Sequence, residues 1–172
     1  MNEINFLPPW ITVQTPRQHP PNPEHRQRIL VADDELIIRR LNSEILASAG
    51  YEVKVAEDGA AAWEYLQLNS YDLLITDNRM PNLSGLELMR KIHAAHLALP
   101  VVMATGQFPA DEFAREPWLQ PVVTLLKPYT FDELLAAAKH AVAVPTESQP
   151  WQVQPLNWFS RPTASGQSAT AA

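Results

Sequence analysis

Four short stretches carry side chains that can do chemistry together. ILVADDE ends an apolar run on two adjacent carboxylates, Asp33 and Asp34, with Glu35 beside them. DLLITD ends on Asp77, VVMATG on Thr105 and Gly106, and LLKP on Lys127 and Pro128. Carboxylates at close range repel one another unless a countercharge is supplied. Oxygen ligands without Cys or His suit a hard cation, Mg2+. A metal ion and a lysine flanking one carboxylate make a phosphoryl-transfer site. The two cations hold the equatorial oxygens while Asp77 attacks, and Thr105 offers a hydroxyl to a phosphoryl oxygen. Taken singly, each signal is weak. An Asp after a strand is most often a turn former or helix cap, and Lys-Pro is common in loops. The specificity lies in their conjunction.

These groups meet only if the segments before them lie side by side and run the same way. RILVA, DLLITD, PVVMAT and VVTLL are short apolar runs of the kind buried on both faces of a sheet, and YEVKVA alternates as a strand. Between them lie helical patterns. Residues 35–49 place Ile37, Ile38, Leu41, Ile45 and Leu46 on one helical face, with Gly50 as a stop. Asp58 is positioned to cap a helix over 59–68. Ser84 to Glu87 is a capping box opening a helix to about His96, and residues 109–116 predict a short helix stopped at Pro117. Thr130 to Glu133 is a second capping box, with a helix running to about Val144. Five strands alternating with five helices imply a doubly wound α/β fold with a parallel sheet. Ligands of such sheets bind beyond the carboxyl ends of the strands, where all these groups fall.

Composition sets the boundaries. The 172 residues are 46% hydrophobic, enough for one well-cored domain. Residues 1–27 are Pro-rich, and 145–172 contain scattered Pro with Ser, Thr, Gln and Ala, so both read as tails around a domain at 28–144. The tails carry Trp10, Trp151 and Trp158, with Phe6 and Phe159, which either fold back onto the domain or dock a partner. The net charge of -6 argues against a nucleic-acid surface. With no cysteine there is no disulfide or thiolate zinc site. No run reaches a membrane span, and the N-terminus lacks a signal-peptide pattern. A cytoplasmic protein is the expectation. His93 and His96 sit three apart with no carboxylates to complete a metal set, and Arg39-Arg40 reads as the solvent face of the first helix.

ILVADDE, DLLITDNRMPNLSG, VVMATG and LLKP, in that order, resemble the receiver domain of two-component response regulators across nearly all of 28–144. The resemblance implies a flavodoxin-like, CheY-like sheet of order 2-1-3-4-5. It implies that Asp77 accepts a phosphoryl group from a sensor histidine kinase or a histidine phosphotransfer protein. Mg2+ would be bound by Asp34, Asp77 and the backbone carbonyl of Arg79, with Asp33 acting through a metal-bound water. Thr105 would be the switch hydroxyl and Lys127 the phosphoryl-contacting lysine. A cis Lys127-Pro128 bond is expected, and Met80-Pro81 and Gly85 match the turn after the phosphorylation site. The first helix would help dock the phosphodonor, and a downstream protein effector would read the switch. Three departures stand out. Thr124 occupies a place the family often fills with an aromatic, so the output face uses other residues. Asn78 replaces an apolar residue, implying a wetter site, and Arg79 lies where its side chain bears on acyl-phosphate lifetime. No output domain follows, so the chain reads as a stand-alone receiver that catalyses only its own phosphorylation and hydrolysis. The rival readings are a receiver-like interaction module acting without phosphorylation and an aspartyl-phosphate phosphatase. The latter wants a DxD pattern and a cap insertion, and no GxGxxG follows the first strand to support a dinucleotide enzyme.

Overall fold

A computed structural model describes residues 26–144. The assignments of 1–27 and 145–172 as tails therefore lie, save for residues 26 and 27, outside the described residues, as do Trp10, Trp151 and Trp158. The order is β1 (Arg28–Ala32), α1 (Leu36–Ser48), β2 (Glu52–Ala56), α2 (Gly59–Leu68), β3 (Leu73–Thr76), α3 (Gly85–Ala94), β4 (Val101–Thr105), α4 (Ala110–Arg115), a 3-10 turn (Pro117–Leu119), β5 (Val123–Leu126) and α5 (Phe131–Ala143). The sheet is β2-β1-β3-β4-β5, with every neighbouring pair parallel. This is the doubly wound α/β fold with the strand order expected from sequence. Among the described residues no helix is long and apolar enough to cross a membrane.

The central strands are apolar at consecutive positions because each is covered on both faces. Leu30, Leu74 and Met103 pack with Ala62 of α2, Leu86 and Leu88 of α3, and Phe113 of α4. Ile29, Val31, Ile75 and Val102 pack on the other face with Leu46 of α1 and Leu134, Ala138 and Ala141 of α5. Each fully buried Leu or Ile contributes about 1.5–3 kcal/mol. β1, β2, β3 and β5 are each followed directly by a charged residue, Asp33, Glu57, Asp77 and Lys127. Sliding β3 one residue would carry the Asp77 side chain between the packed layers, and an unpaired carboxylate there would cost more than any one of these contacts supplies.

Both predicted capping boxes are formed. Ser84 and Glu87 close the start of α3, and Thr130 and Glu133 that of α5. The second-helix cap is also present, with Asp58 Oδ1 accepting the Ala61 amide at 2.8 Å while Oδ2 accepts from Asn82. The Ala61 and Asn82 hydrogen bonds hold the Asp58 carboxyl below the usual carboxylate range. Asp58→Ala is therefore expected to cost about 1–2 kcal/mol at neutral pH. Because the folded-state pKa is depressed, that contribution is complete above the ordinary carboxylate value of about 4. It is lost as the pH falls through the lowered folded value. Urea midpoints of wild type and variant should converge from pH 7 to pH 3; a constant gap would contradict this account.

The first helix departs from the sequence reading. Of the predicted apolar face Leu46 is buried and Ile45 packs on the core, but Ile37 is 78% exposed and Leu41 38%, and the polar Asn42 is buried instead. The helix is turned so that polar side chains reach the sheet edge. Asn42 Nδ2 donates to the Tyr129 hydroxyl at 2.9 Å, tying α1 to the loop after β5. Arg39 is half-buried rather than part of a solvent face. One smaller correction concerns a helix end. α3 stops at Ala94, and His96 adopts φ 52° outside it; His93 and His96 are both exposed, as expected of a solvated surface, and the His93 ring stacks on Trp118 at 4.3 Å. The fourth helix ends at Arg115, before Pro117 as predicted, and a separate 3-10 turn follows at Pro117–Leu119.

Candidate functional site

The sheet hydrogen bonds continue past the strand ends and align the polar groups. The Asp33 amide donates to Ala56 O, the Asp77 amide to Ala32 O at 2.9 Å, and the Lys127 amide to Thr105 O at 2.9 Å. Asp33, Asp77, Thr105 and Lys127 thus stand next to one another at the carboxyl edge, at the point where β1 and β3 part and the chain crosses to opposite faces.

Lys127 is the hub. Its Nζ lies 2.9 Å from Asp33 Oδ2, 3.1 Å from Asp77 Oδ2 and 3.7 Å from Glu35 Oε1. Burial alone would lower the lysine pKa, but the Asp33 and Asp77 carboxylates more than reverse this and hold it above the ordinary range. Asp33 is nearly fully buried, so loss of hydration outweighs the pull of Lys127 and raises its pKa. One ammonium against three acids leaves the cluster short of positive charge.

The donor set fits a divalent cation. Carboxylate oxygens of Asp33, Asp34 and Asp77 lie within 4.8 Å of one another, with Asp33 and Asp77 buried and Asp34 exposed. All are hard oxygen donors at an open edge, which matches Mg2+ retaining some of its water. Among the described residues no other group of three or more His, Asp or Glu side chains meets this criterion. Arg79 is exposed on the loop after β3, close in sequence to Asp77. Its side chain turns to Gln107, with Nη2 donating to Oε1 at 2.6 Å.

That loop is tightly built. Asp77 Oδ1 accepts the Asn78 amide at 2.6 Å. The Asn78 side chain accepts from the Leu86 amide at 3.2 Å, and its carbonyl from the Gly85 amide at 3.1 Å. Asn78 is therefore a stitch to the start of α3. Gly85 is required because a Cβ there would collide with the Asp77 carbonyl oxygen. Gly85→Ala is expected to cost about 1–3 kcal/mol and to shift the Asp77 amide resonance, both readable from urea unfolding and an amide NMR spectrum. An unmoved Asp77 resonance would count against the collision. Thr105 is fully buried, and its hydroxyl donates to Gln107 O at 3.1 Å. The Lys127-Pro128 bond is cis, as the resemblance implied.

Sequence reasoning assembled Asp33, Asp34, Asp77, Thr105 and Lys127 correctly at one edge. It missed Arg39, Asn42, Gln107 and Tyr129, because a side chain that grips loop backbone or a distant hydroxyl leaves no spacing pattern.

Comparison with known proteins agrees with this geometry. Residues 29–139 match the family described as the response regulator receiver domain. The chain is 41% identical over 106 residues to the sensor histidine kinase RcsC of Salmonella typhi, covering 62% of this chain but only 11% of that protein. It superposes on a response regulator receiver domain protein from Clostridium thermocellum with TM-score 0.61 and 30% identity, covering 67% of this chain and 94% of the other. The response regulator protein TrrA from Thermotoga maritima, solved in complex with Mg(2+)-BeF, matches with TM-score 0.58 and 34% identity over 66% of this chain and 96% of that one. An acid cluster, a buried hydroxyl and a bridging lysine stand at the end of a 2-1-3-4-5 sheet, and the match spans most of the described residues: the chain belongs to the response regulator receiver domain family.

Proposed function

We propose that the protein is a phosphorylation switch of a two-component phosphorelay, accepting a phosphoryl group on Asp77. The observation that carries this reading is the placement of Asp77, buried at the sheet edge between Lys127 Nζ and the Asp33–Asp34 pair. Mg2+, held by Asp34, Asp77 and the Arg79 carbonyl with Asp33 acting through a bound water, would supply charge neutralisation for the phosphoryl oxygens. The Mg(2+)-BeF complex of the TrrA relative supports this choice of ion. An Asp77 carboxylate oxygen attacks phosphorus, and the bond from phosphorus to the donor's imidazole nitrogen breaks. The electron pair stays on that nitrogen, and an acyl phosphate remains on Asp77. Lys127 is released from bridging two carboxylates and grips a phosphoryl oxygen.

The modification adds about -1.5 to -2 of charge. Thr105 must then leave Gln107 to meet a phosphoryl oxygen, which carries the loop after β4 with it. Arg79, bonded to Gln107, couples the loop after β3 to the same movement. Because Thr124 is no aromatic, the readout passes through these loops to the face of α4 and β5, where a protein effector distinguishes the two states. The donor is a sensor histidine kinase or a histidine phosphotransfer protein, and the exposed Leu36, Ile37 and Leu41 on α1 offer it an apolar contact. The domain catalyses its own phosphorylation and hydrolysis, is not a metabolic enzyme, and works in the cytoplasm.

Acetyl phosphate with and without Mg2+, followed by intact mass spectrometry, tests this. A Mg2+-dependent phosphate adduct is expected. If neither an adduct nor a beryllofluoride complex forms, the chain is an interaction module that works without phosphorylation.

A further inference from the structure

Two cations serve the acid cluster in different ways. Lys127 bonds directly to the carboxylates of Asp33 and Asp77. Arg39 does not. Its Nη1 donates to the backbone carbonyl of Asp33 at 2.6 Å and to that of Asp34 at 3.3 Å. The helix holds Arg39 in place for this, since its own amide donates to Glu35 O at 2.9 Å. Asp33 Oδ1 meanwhile accepts the Glu35 amide at 2.9 Å, which closes the loop into a tight turn.

The consequence follows from which atoms are engaged. Two adjacent acids on a short loop repel each other, and that repulsion favours loop conformations in which the carboxylates splay apart. A guanidinium bonded to both peptide oxygens fixes the orientation of those two peptide units. It does so without occupying any carboxylate oxygen, so it takes no anionic donor away from a metal. Both bonds come from the one nitrogen, Nη1, whose two hydrogens serve the neighbouring carbonyls and whose direction the planar guanidinium fixes.

We propose that Arg39 is a positioning residue of the metal site, holding Asp33 and Asp34 preorganised for Mg2+ through their backbone carbonyls. This rests on the phosphorylation-switch reading only in assuming that the acid cluster takes up Mg2+. The proposal makes a prediction of definite sign. Arg39 is also a positive charge beside a cation site, and a purely electrostatic influence would oppose Mg2+. If charge were its only effect, removing Arg39 would tighten Mg2+ binding. If positioning dominates, removing it weakens binding.

The test is a Mg2+ titration of the full chain followed by backbone amide NMR shifts, for wild type, Arg39→Ala and Arg39→Lys. Arg39→Ala is expected to weaken Mg2+ binding about tenfold, the lower end for loss of a group behind metal ligands. Arg39→Lys, which keeps the charge and a donor nitrogen but not the rigid guanidinium plane, should recover part of the affinity. With acetyl phosphate, the rate deficit of Arg39→Ala should disappear at saturating Mg2+, a pattern that mere loss of stability would not give. Unchanged or tighter Mg2+ binding in Arg39→Ala would overturn the proposal, including when urea unfolding shows the variant to be less stable. A wild type that takes no Mg2+ would defeat the metal reading itself and the proposal with it. A wild type that binds Mg2+ but is never phosphorylated would leave Arg39 judged on affinity alone.

Discussion

Asp77→Asn yields a protein that folds at least as well as wild type and takes no phosphoryl group from acetyl phosphate at any Mg2+ concentration. Loss of the adduct follows from the chemistry, because a carboxamide oxygen is too weak a nucleophile to form the acyl phosphate. The stability half of the expectation comes from the charge balance. Asp77 is one of three carboxylates gathered within 4.8 Å, and Lys127 is shared between it and Asp33. Neutralising Asp77 removes two repulsive pairs and one attractive one, and leaves Lys127 wholly to Asp33. The asparagine oxygen can still accept the Asn78 amide that Asp77 Oδ1 now accepts. Without Mg2+, the urea midpoint of the variant should equal or exceed that of wild type, with the gap narrowing as Mg2+ is added. A variant that is markedly less stable would mean that Asp77 has a structural role the acid cluster does not explain, and any residual adduct would place the phosphorylation elsewhere.

Lys127→Met is the second large effect, and it runs the other way. The ammonium is the cation bonded to both Asp33 and Asp77, and Asp33 has almost no exposure to water. Its removal leaves a buried carboxylate without its partner. Breaking a fully buried pair costs about 3–5 kcal/mol, and since this site opens to solvent at the sheet edge about 2–3 kcal/mol is expected here. The methionine keeps most of the side-chain volume, so packing changes little. Mg2+ should narrow the gap to wild type by replacing the missing charge, whereas a cavity or packing defect would leave that gap unchanged as both proteins gain stability from the ion. Phosphorylation should remain impaired even then, because the phosphoryl oxygen that Lys127 would grip has lost its partner. Urea unfolding at several Mg2+ concentrations, run alongside the acetyl phosphate reaction, checks both halves. A stability loss that Mg2+ does not relieve would refute the electrostatic account.

The legible part of this protein was what strand periodicity and strand ends encode. ILVA, LLI and VVMA had to be doubly buried, because every residue in them is apolar, and the acids after the first and third strands had to stop at an edge. Ser84, Thr130 and Asp58 announced the helix starts, because caps are local chemistry between residues three apart. Parallel alternation then placed Asp33, Asp34, Asp77, Thr105 and Lys127 together. The orientation of α1 was not legible. Its apolar residues cover a wide arc, and either side of that arc was available to the core. The sheet edge decided it: Asn42 found the Tyr129 hydroxyl 87 residues away, and Arg39 found two loop carbonyls. Those partners brought Arg39 and Asn42 inward alongside Leu46 and left Ile37 outside.

The sequence by itself determined the fold class, the ligand edge and the reacting set, because hydrophobic period, caps and strand-terminal charge are local and repeat along the chain. Only the tertiary structure decided how Lys127 divides itself between two acids, where Asn78 turns, which residue Thr105 engages and what Arg39 holds. Each of these depends on a partner distant in the chain or on a backbone atom, and neither carries a side-chain signature that spacing can reveal.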